Sequence, residues 1–187
     1  IEGGIPLRGE VTPSGNKNAA LPLLAACLLT EEPVILHNLP QIRDVLAMRK
    51  LIESLGAVVE DLGANTWRIT TKELIASHLD PDLCRRIRAS ILIAGPVLAR
   101  AGGVHLPPPG GDVIGRRRLD THILALRALG AEVKYDRVFE ITSNGLHGAD
   151  MLLDEASVTA TENAVMAAVL AKGETKIRNA ASEPHVQ

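Results

Sequence analysis

Three stretches of this chain share one pattern at a spacing of about 70 residues, and a period of that size means stacked copies of one supersecondary unit. The first reads NAALPLLAACLLTEEPVILHNLPQIRDV from Asn18, the second RASILIAGPVLARAGGVHLPPPGGDVIG from Arg88, and the third TENAVMAAVLAKGETKIRNAASEPHVQ from Thr161. Each opens with an apolar helix of small residues, breaks at Gly or Glu-Pro, enters a short strand and ends in a polar loop. The first two then share a second helix that stops at a glycine and turns into a strand, at Leu55-Gly56-Ala57-Val58-Val59 and Leu129-Gly130-Ala131-Glu132-Val133. Further strands follow at Thr66 to Thr70 and Val138 to Thr142. The unit is thus helix, strand, helix, strand, strand. Its opening helices are apolar nearly all round and belong in the interior, which leaves the sheets outside. The third copy stops at Gln187, about 40 residues short of a full period. With Ile1 in place of Met at the start, both ends read as cut from a longer protein.

A hydrophobic fraction of 46% supports a substantial core, and it is aliphatic, because Trp67, Tyr135 and Phe139 are the aromatic residues. So few rings offer no stacking platform for single-stranded nucleic acid, and a formal charge of -2 argues against a general polyanion binder. The longest apolar runs, Ala19 to Leu29 and Ala89 to Ala99, fall short of the roughly 20 residues of a membrane helix, and no basic-then-apolar leader opens the chain. Cys27 and Cys84 have no CxxC spacing and read as reduced core residues of a cytosolic protein. The six histidines, at 37, 78, 105, 122, 147 and 185, show no metal-ligand spacing and are expected on the surface or in loops. His122 is also a candidate to touch a ligand.

The chemistry-bearing stretch is Pro107 to His122, PPPGGDVIGRRRLDTH. Its Gly-Gly pair frees the backbone and lets bare amides approach a ligand closely. Consecutive arginines, Arg116 to Arg118, suit phosphate and carboxylate geometry. The residues alone fit either a site for a multiply charged anion or a solvated basic loop before a helix starting near Asp120. Lys17 and Asn18 stand where a loop meets the first repeat helix, as a helix cap or as an anion contact. Arg88 opens the second repeat helix, where a cation opposes the helix dipole unless an anion accompanies it. Arg85 and Arg86 read as surface charges.

The segments SGNKNAALPLLAACLL, RIRASI, PGGDVIGRRRLDTHI, ASVTATENAVMAA and RNAASEP, in this order and spacing, resemble the UDP-N-acetylglucosamine 1-carboxyvinyltransferases, a family of enolpyruvyl transferases. The resemblance implies an α/β protein of two domains, each an inside-out α/β barrel of three such units, with the active site between them. Residues 1–17 would then be the opening strand of the other, largely absent domain. Residues 18–187 would be most of one barrel, its third repeat truncated.

The implied reaction moves the enolpyruvyl group of phosphoenolpyruvate to the 3-hydroxyl of the sugar and releases phosphate, in the bacterial cytoplasm, without metal or organic cofactor. The implied substrates are phosphoenolpyruvate and UDP-N-acetylglucosamine, and the implied partner is the missing domain, with no nucleic acid and no membrane. Lys17 and Asn18 would contact phosphoenolpyruvate. Arg88, Arg117, Arg118, Leu119, Asp120, Thr121, Ser157 and Val158 would contact UDP-N-acetylglucosamine. Glu183 matches a charged residue lining the family's cleft, and a solvated acid fits it as well.

Departures from the family pattern carry weight. Arg118 replaces the usual proline, Glu155 a lysine found in some members, and Thr159 a frequent glycine. Asp112 stands where many members carry the cysteine that donates a proton and is captured by fosfomycin. Aspartate serves as a proton donor only with a raised pKa, whereas nearby arginines lower it. Asp112 is therefore expected to become an acid only once anionic substrates bind, and to confer fosfomycin resistance. Two alternatives remain open, a transferase acting on shikimate 3-phosphate and a nucleotide-sugar-binding module without turnover.

Overall fold

The computed structural model describes residues 3–4, 6–75, 77–111 and 118–187. In the first unit, α1 (Lys17–Ala26) leads to β1 (Val34–Leu36), α2 (Arg43–Ser54), β2 (Val58–Asp61) and β3 (Trp67–Thr70). In the second, α3 (Pro81–Arg86) and a 3-10 turn (Arg88–Ile93) run into α4 (Ala94–Ala101). Then come β4 (Gly103–Leu106), α5 (Asp120–Ala128), β5 (Glu132–Asp136) and β6 (Val138–Thr142). The last elements are β7 (Asp150–Leu152), α6 (Val158–Ala168) and β8 (Lys176–Arg178). The described residues before Lys17 carry no helix or strand. Among the described residues no helix is long and apolar enough to cross a membrane.

The two complete units build the same antiparallel sheet, with strand orders β1-β3-β2 and β4-β6-β5. Their second helices end alike. Gly56 and Gly130 take φ of +110° and +97°, and the amides of Ala57 and Ala131 bond back to Ile52 O and Leu126 O at 3.1 and 3.0 Å. These are paired left-handed glycine caps, read correctly from the two Leu-Gly-Ala segments.

The structure adds a strand that the sequence pattern lacked. β7 runs parallel to β8, and in the second unit Ser77–Leu79 does the same for β4. There His105 N bonds to Ser77 O at 2.7 Å and Leu79 N to His105 O at 3.1 Å. Three-residue strands with one inward side chain, such as Met151 in β7, are too short for alternation to register.

Helices fill the interior. Leu24, Leu28, Met48, Leu51, Ile52, Leu92, Ile93 and Leu98 are fully buried, whereas β2 and β5 present mostly exposed residues outward. The core is aliphatic apart from Trp67, which is fully buried beneath the Arg49 guanidinium, 5.0 Å from its ring centre. Tyr135 and Phe139 lie instead against each other on adjacent strands. Both cysteines are buried free thiols. Burial pushes Cys27 up to about 12 and Cys84 up to about 11, so both remain protonated and inert at neutral pH.

Two polar side chains hold the helices together. Arg100 donates to the carbonyls of Leu28 at 2.9 Å, Thr30 at 3.3 Å and Lys72 at 2.8 Å, tying α4 to both ends of the first unit's sheet. Asn163 of α6 reaches into the α4 backbone. Its Oδ1 accepts from Gly95 N and its Nδ2 donates to Ile91 O, both at 2.8 Å. The amide thus replaces the helical bond Gly95 would make to Ile91, bridging the change from 3-10 to α geometry.

The close approach requires glycine, because a Cβ on Gly95 would sit 2.7 Å from Asn163 O and 2.8 Å from its Oδ1. Gly95→Ala should therefore destabilise the fold by about 2–4 kcal/mol, since neither backbone has room to yield. Denaturant unfolding of the variant beside the parent protein measures this. Asn163→Leu, which leaves the buried Gly95 N–H unpaired while Ile91 O keeps the Ala94 N–H, should cost about 1–3 kcal/mol.

Candidate functional site

The described residues form an open cleft of about 530 Å³ lined by Arg88, Arg118, His122, Glu155, Ser157, Val158 and Thr159. Four residues singled out in the sequence, Arg88, Arg118, Ser157 and Val158, meet here from three places in the chain. Ser157 caps α6, its Oγ accepting from Ala160 N at 3.3 Å. The first-turn amides of Val158 and Thr159 have no intrahelical carbonyl to bond, and the helix dipole favours an anion beside them. Arg88 begins the 3-10 turn and donates to Arg118 O at 3.3 Å, which holds the segment before α5 against the start of the second unit. Arg118 in turn pairs with Asp120, which holds its guanidinium well above its ordinary pKa. Two arginines, a capped helix N-terminus and one acid, Glu155, make a cleft suited to a phosphate-bearing ligand with further polar groups.

Other predicted residues lie around this cleft. Leu119 packs against the core. Thr121 is almost fully buried and donates to Asp154 Oδ1 at 2.5 Å, which pins the approach to α6. Lys17 and Asn18 stand at the start of α1, outside the cleft lining. There Asn16 Oδ1 takes the amides of Asn18 and Ala19 at 2.7 and 3.2 Å, and the Lys17 ammonium pairs with Asp44 at 3.0 Å. Asp112, Arg116 and Arg117 fall outside the described residues. Arg85 pairs with Asp82 on the exposed face of α3, as its assignment to the surface predicts.

Two expectations change. The Gly-Gly amides do not face a ligand. Gly110 N and Gly111 N bond to Cys84 O at 2.9 Å and Arg85 O at 3.2 Å, and a Cβ on Gly110 would lie 1.9 Å from Arg85 O. The glycines dock the loop onto the end of α3. His122, expected on the surface, is 3% exposed. Its ring nitrogens sit 3.0 Å from Asn163 Nδ2 and 3.1 Å from Thr159 Oγ1. Burial, together with Arg88, pushes it down to about 3, so it is neutral at physiological pH. Partners about 40 residues further on, in the next helix, leave no local sequence signal.

Sequence reasoning also missed Glu162 as a buried acid. It is 7% exposed, and burial with the nearby Glu183 pushes it up to about 7. His185 Nε2 lies 3.2 Å from its Oε1, and Glu183 Oε2 is buried with no hydrogen-bond partner. An acid whose folded pKa is raised contributes stability below its unfolded value that is lost as pH rises through the folded one. Stability should therefore fall between about pH 4.5 and 7, by roughly 2–4 kcal/mol. Glu162→Gln should flatten this slope and leave the protein more stable than its parent at pH 8, as urea unfolding across the pH range would measure.

Comparison with known proteins matches the chain to one group. A sequence profile of the family described as EPSP synthase (3-phosphoshikimate 1-carboxyvinyltransferase) matches residues 1–187. The UDP-N-acetylglucosamine 1-carboxyvinyltransferase of Bradyrhizobium diazoefficiens is 62% identical over 187 residues, covering 100% of this chain and 43% of the relative. The Treponema denticola protein of the same name is 57% identical, with 100% and 44% covered. The chain thus spans less than half the length of these relatives. Among solved structures, the enolpyruvyl transferase NikO from Streptomyces tendae superposes with a TM-score of 0.80 at 22% identity, covering 100% of this chain and 44% of that one. EPSP synthase from Acinetobacter baumannii does so with 0.73 at 18%, covering 95% and 42%. At these identities the superpositions speak for the fold alone, and with the profile match over its whole length the chain belongs to the EPSP synthase family of carboxyvinyltransferases.

Proposed function

We propose that this chain is the N-terminal part of an enzyme that transfers the carboxyvinyl group of phosphoenolpyruvate to the 3-hydroxyl of UDP-N-acetylglucosamine, a committed step of bacterial peptidoglycan synthesis. The observation that carries the reading is the cleft, where Arg88, Arg118 and the Ser157-capped end of α6 face one volume suited to a nucleotide diphosphate. The names of the relatives at 62% and 57% identity agree with it.

In this reading the sugar's 3-hydroxyl oxygen bonds to C2 of phosphoenolpyruvate and gives up its proton, while an acid protonates C3. The tetrahedral adduct then loses phosphate from C2 and a proton from C3. Lys17 and Asn18 hold phosphoenolpyruvate. Arg88, Arg117, Arg118, Leu119, Asp120, Thr121, Ser157 and Val158 hold UDP-N-acetylglucosamine, and Asp112 is the acid. Residues 18–187 supply most of one inside-out barrel of three repeats, residues 1–17 begin a second domain, and the chain alone is inactive. The enzyme works in the cytoplasm.

The family description names the shikimate-side transferase, so shikimate 3-phosphate is the competing acceptor. Phosphate release from phosphoenolpyruvate by the full-length protein distinguishes them. Release that requires UDP-N-acetylglucosamine supports the reading, release that requires shikimate 3-phosphate replaces it, and release with neither leaves a binding module. Asp112→Asn should lower kcat by about 100-fold or more. Asp112→Cys should keep turnover and gain rapid inactivation by fosfomycin, because a thiolate opens an epoxide far faster than a carboxylate does. Loss of activity with time and the mass of the labelled protein report the latter.

A further inference from the structure

Asn163, His122 and Thr159, running from the interior to the cleft wall, fix one another's hydrogens. Asn163 Oδ1 accepts from Gly95 N and Nδ2 donates to Ile91 O. Reversing the amide would set oxygen against the Ile91 carbonyl and NH2 against the Gly95 N–H, so backbone on both sides dictates its orientation. The second Nδ2 hydrogen then points to His122 Nδ1, 3.0 Å away, which must accept and is therefore unprotonated. A neutral imidazole with a bare Nδ1 carries its proton on Nε2. That Nε2–H donates to Thr159 Oγ1 at 3.1 Å. A threonine hydroxyl whose oxygen already accepts has its own hydrogen left to give. Thr159 is half-buried in the first turn of α6 and lines the cleft with Arg88 and Arg118.

We propose that Thr159 is a further substrate-binding residue whose hydroxyl donates a hydrogen bond to a phosphate oxygen of the bound nucleotide diphosphate, held in that donor role by His122 and Asn163. The acceptor is a phosphate because the hydroxyl stands in the first turn of α6, beside that helix's free amides, in a cleft where two guanidinium groups also favour anionic oxygen. His122 and Asn163 are positioning residues that act on the ligand through Thr159. The neutral state of His122, with its pKa lowered to about 3, keeps the direction of the chain unchanged through physiological pH. This inference rests on the function proposed above and sharpens it, since a glycine at this position would leave His122 Nε2 without this partner.

The test measures affinity by calorimetry in the full-length enzyme carrying this chain, with UDP-N-acetylglucosamine and UDP as probes. Thr159→Val, which keeps the shape and removes the hydroxyl, should weaken both about tenfold and leave KM for phosphoenolpyruvate unchanged, while lowering the unfolding midpoint because the buried His122 Nε2–H loses its acceptor. Thr159→Ser should restore affinity to within about twofold. The imidazole nitrogen spectrum should show His122 with Nε2 protonated and Nδ1 bare from pH 5 to 8. Equal affinity of parent and Thr159→Val overturns the inference alone. A loss confined to UDP-N-acetylglucosamine puts the hydroxyl on the sugar and overturns the phosphate assignment, as a protonated Nδ1 would overturn the positioning chain. A parent enzyme that binds neither probe overturns the functional reading and this inference together.

Discussion

The amide of Asn163 is the contact on which the helical interior depends. The second unit's helix changes from 3-10 to α geometry at Ala94, just before Gly95 and Pro96, and Pro96 brings no N–H of its own. Left alone, such a junction would bury an unpaired donor at Gly95, at a cost comparable to a lost hydrogen bond. One side chain from α6 satisfies both sides of the break, and α4 and α6 then approach closely enough that only glycine fits between them. The same amide decides the protonation of a histidine that touches the cleft wall. Packing and site chemistry thus share a single group.

Repetition explains where the candidate residues lie. Each unit's first apolar helix begins at a polar residue: Lys17 and Asn18 for α1, Arg88 for the turn leading into α4, and Ser157 for α6. A helix start leaves amides without intrahelical carbonyls; at α1 Asn16 Oδ1 takes those of Asn18 and Ala19, and at α6 Ser157 Oγ takes that of Ala160. The two helix starts differ in what surrounds them. At α1 the Lys17 ammonium meets Asp44; at α6 the serine cap shares its cleft with guanidinium groups from the second unit.

The sequence made visible what depends on local chemistry. Helix ends at Gly56 and Gly130, strands at Trp67–Thr70 and Val138–Thr142, and the helix at Asp120 follow from turn residues and from runs of four or more residues with clear periodicity. Arg88, Arg118, Ser157 and Val158 were expected at one site through the resemblance of whole segments to the carboxyvinyltransferase family, and they line one cleft. What stayed hidden depends on distant partners. The parallel strand at Asp150–Leu152 exists because β8 lies beside it. The Gly110 and Gly111 amides are consumed by α3 rather than offered to a ligand. The burial of His122 and the raised acid at Glu162 come from α6 and the segment after β8, neither adjacent in sequence. Pattern reading sees a residue's neighbours along the chain, whereas pKa and tautomer are set by neighbours in space.

The paired glycine caps at Gly56 and Gly130 have an evolutionary corollary. Both turns are held by main-chain bonds, Ala57 N to Ile52 O and Ala131 N to Leu126 O, and main-chain bonds are indifferent to which side chains flank them. Mutation is free to erase the kinship of two copies almost everywhere, since any apolar residue of suitable size fills an interior position. It is not free at a left-handed φ, where every residue with a Cβ is strained. Ancestry in such a chain is therefore recorded in its glycines long after overall identity between the copies has faded.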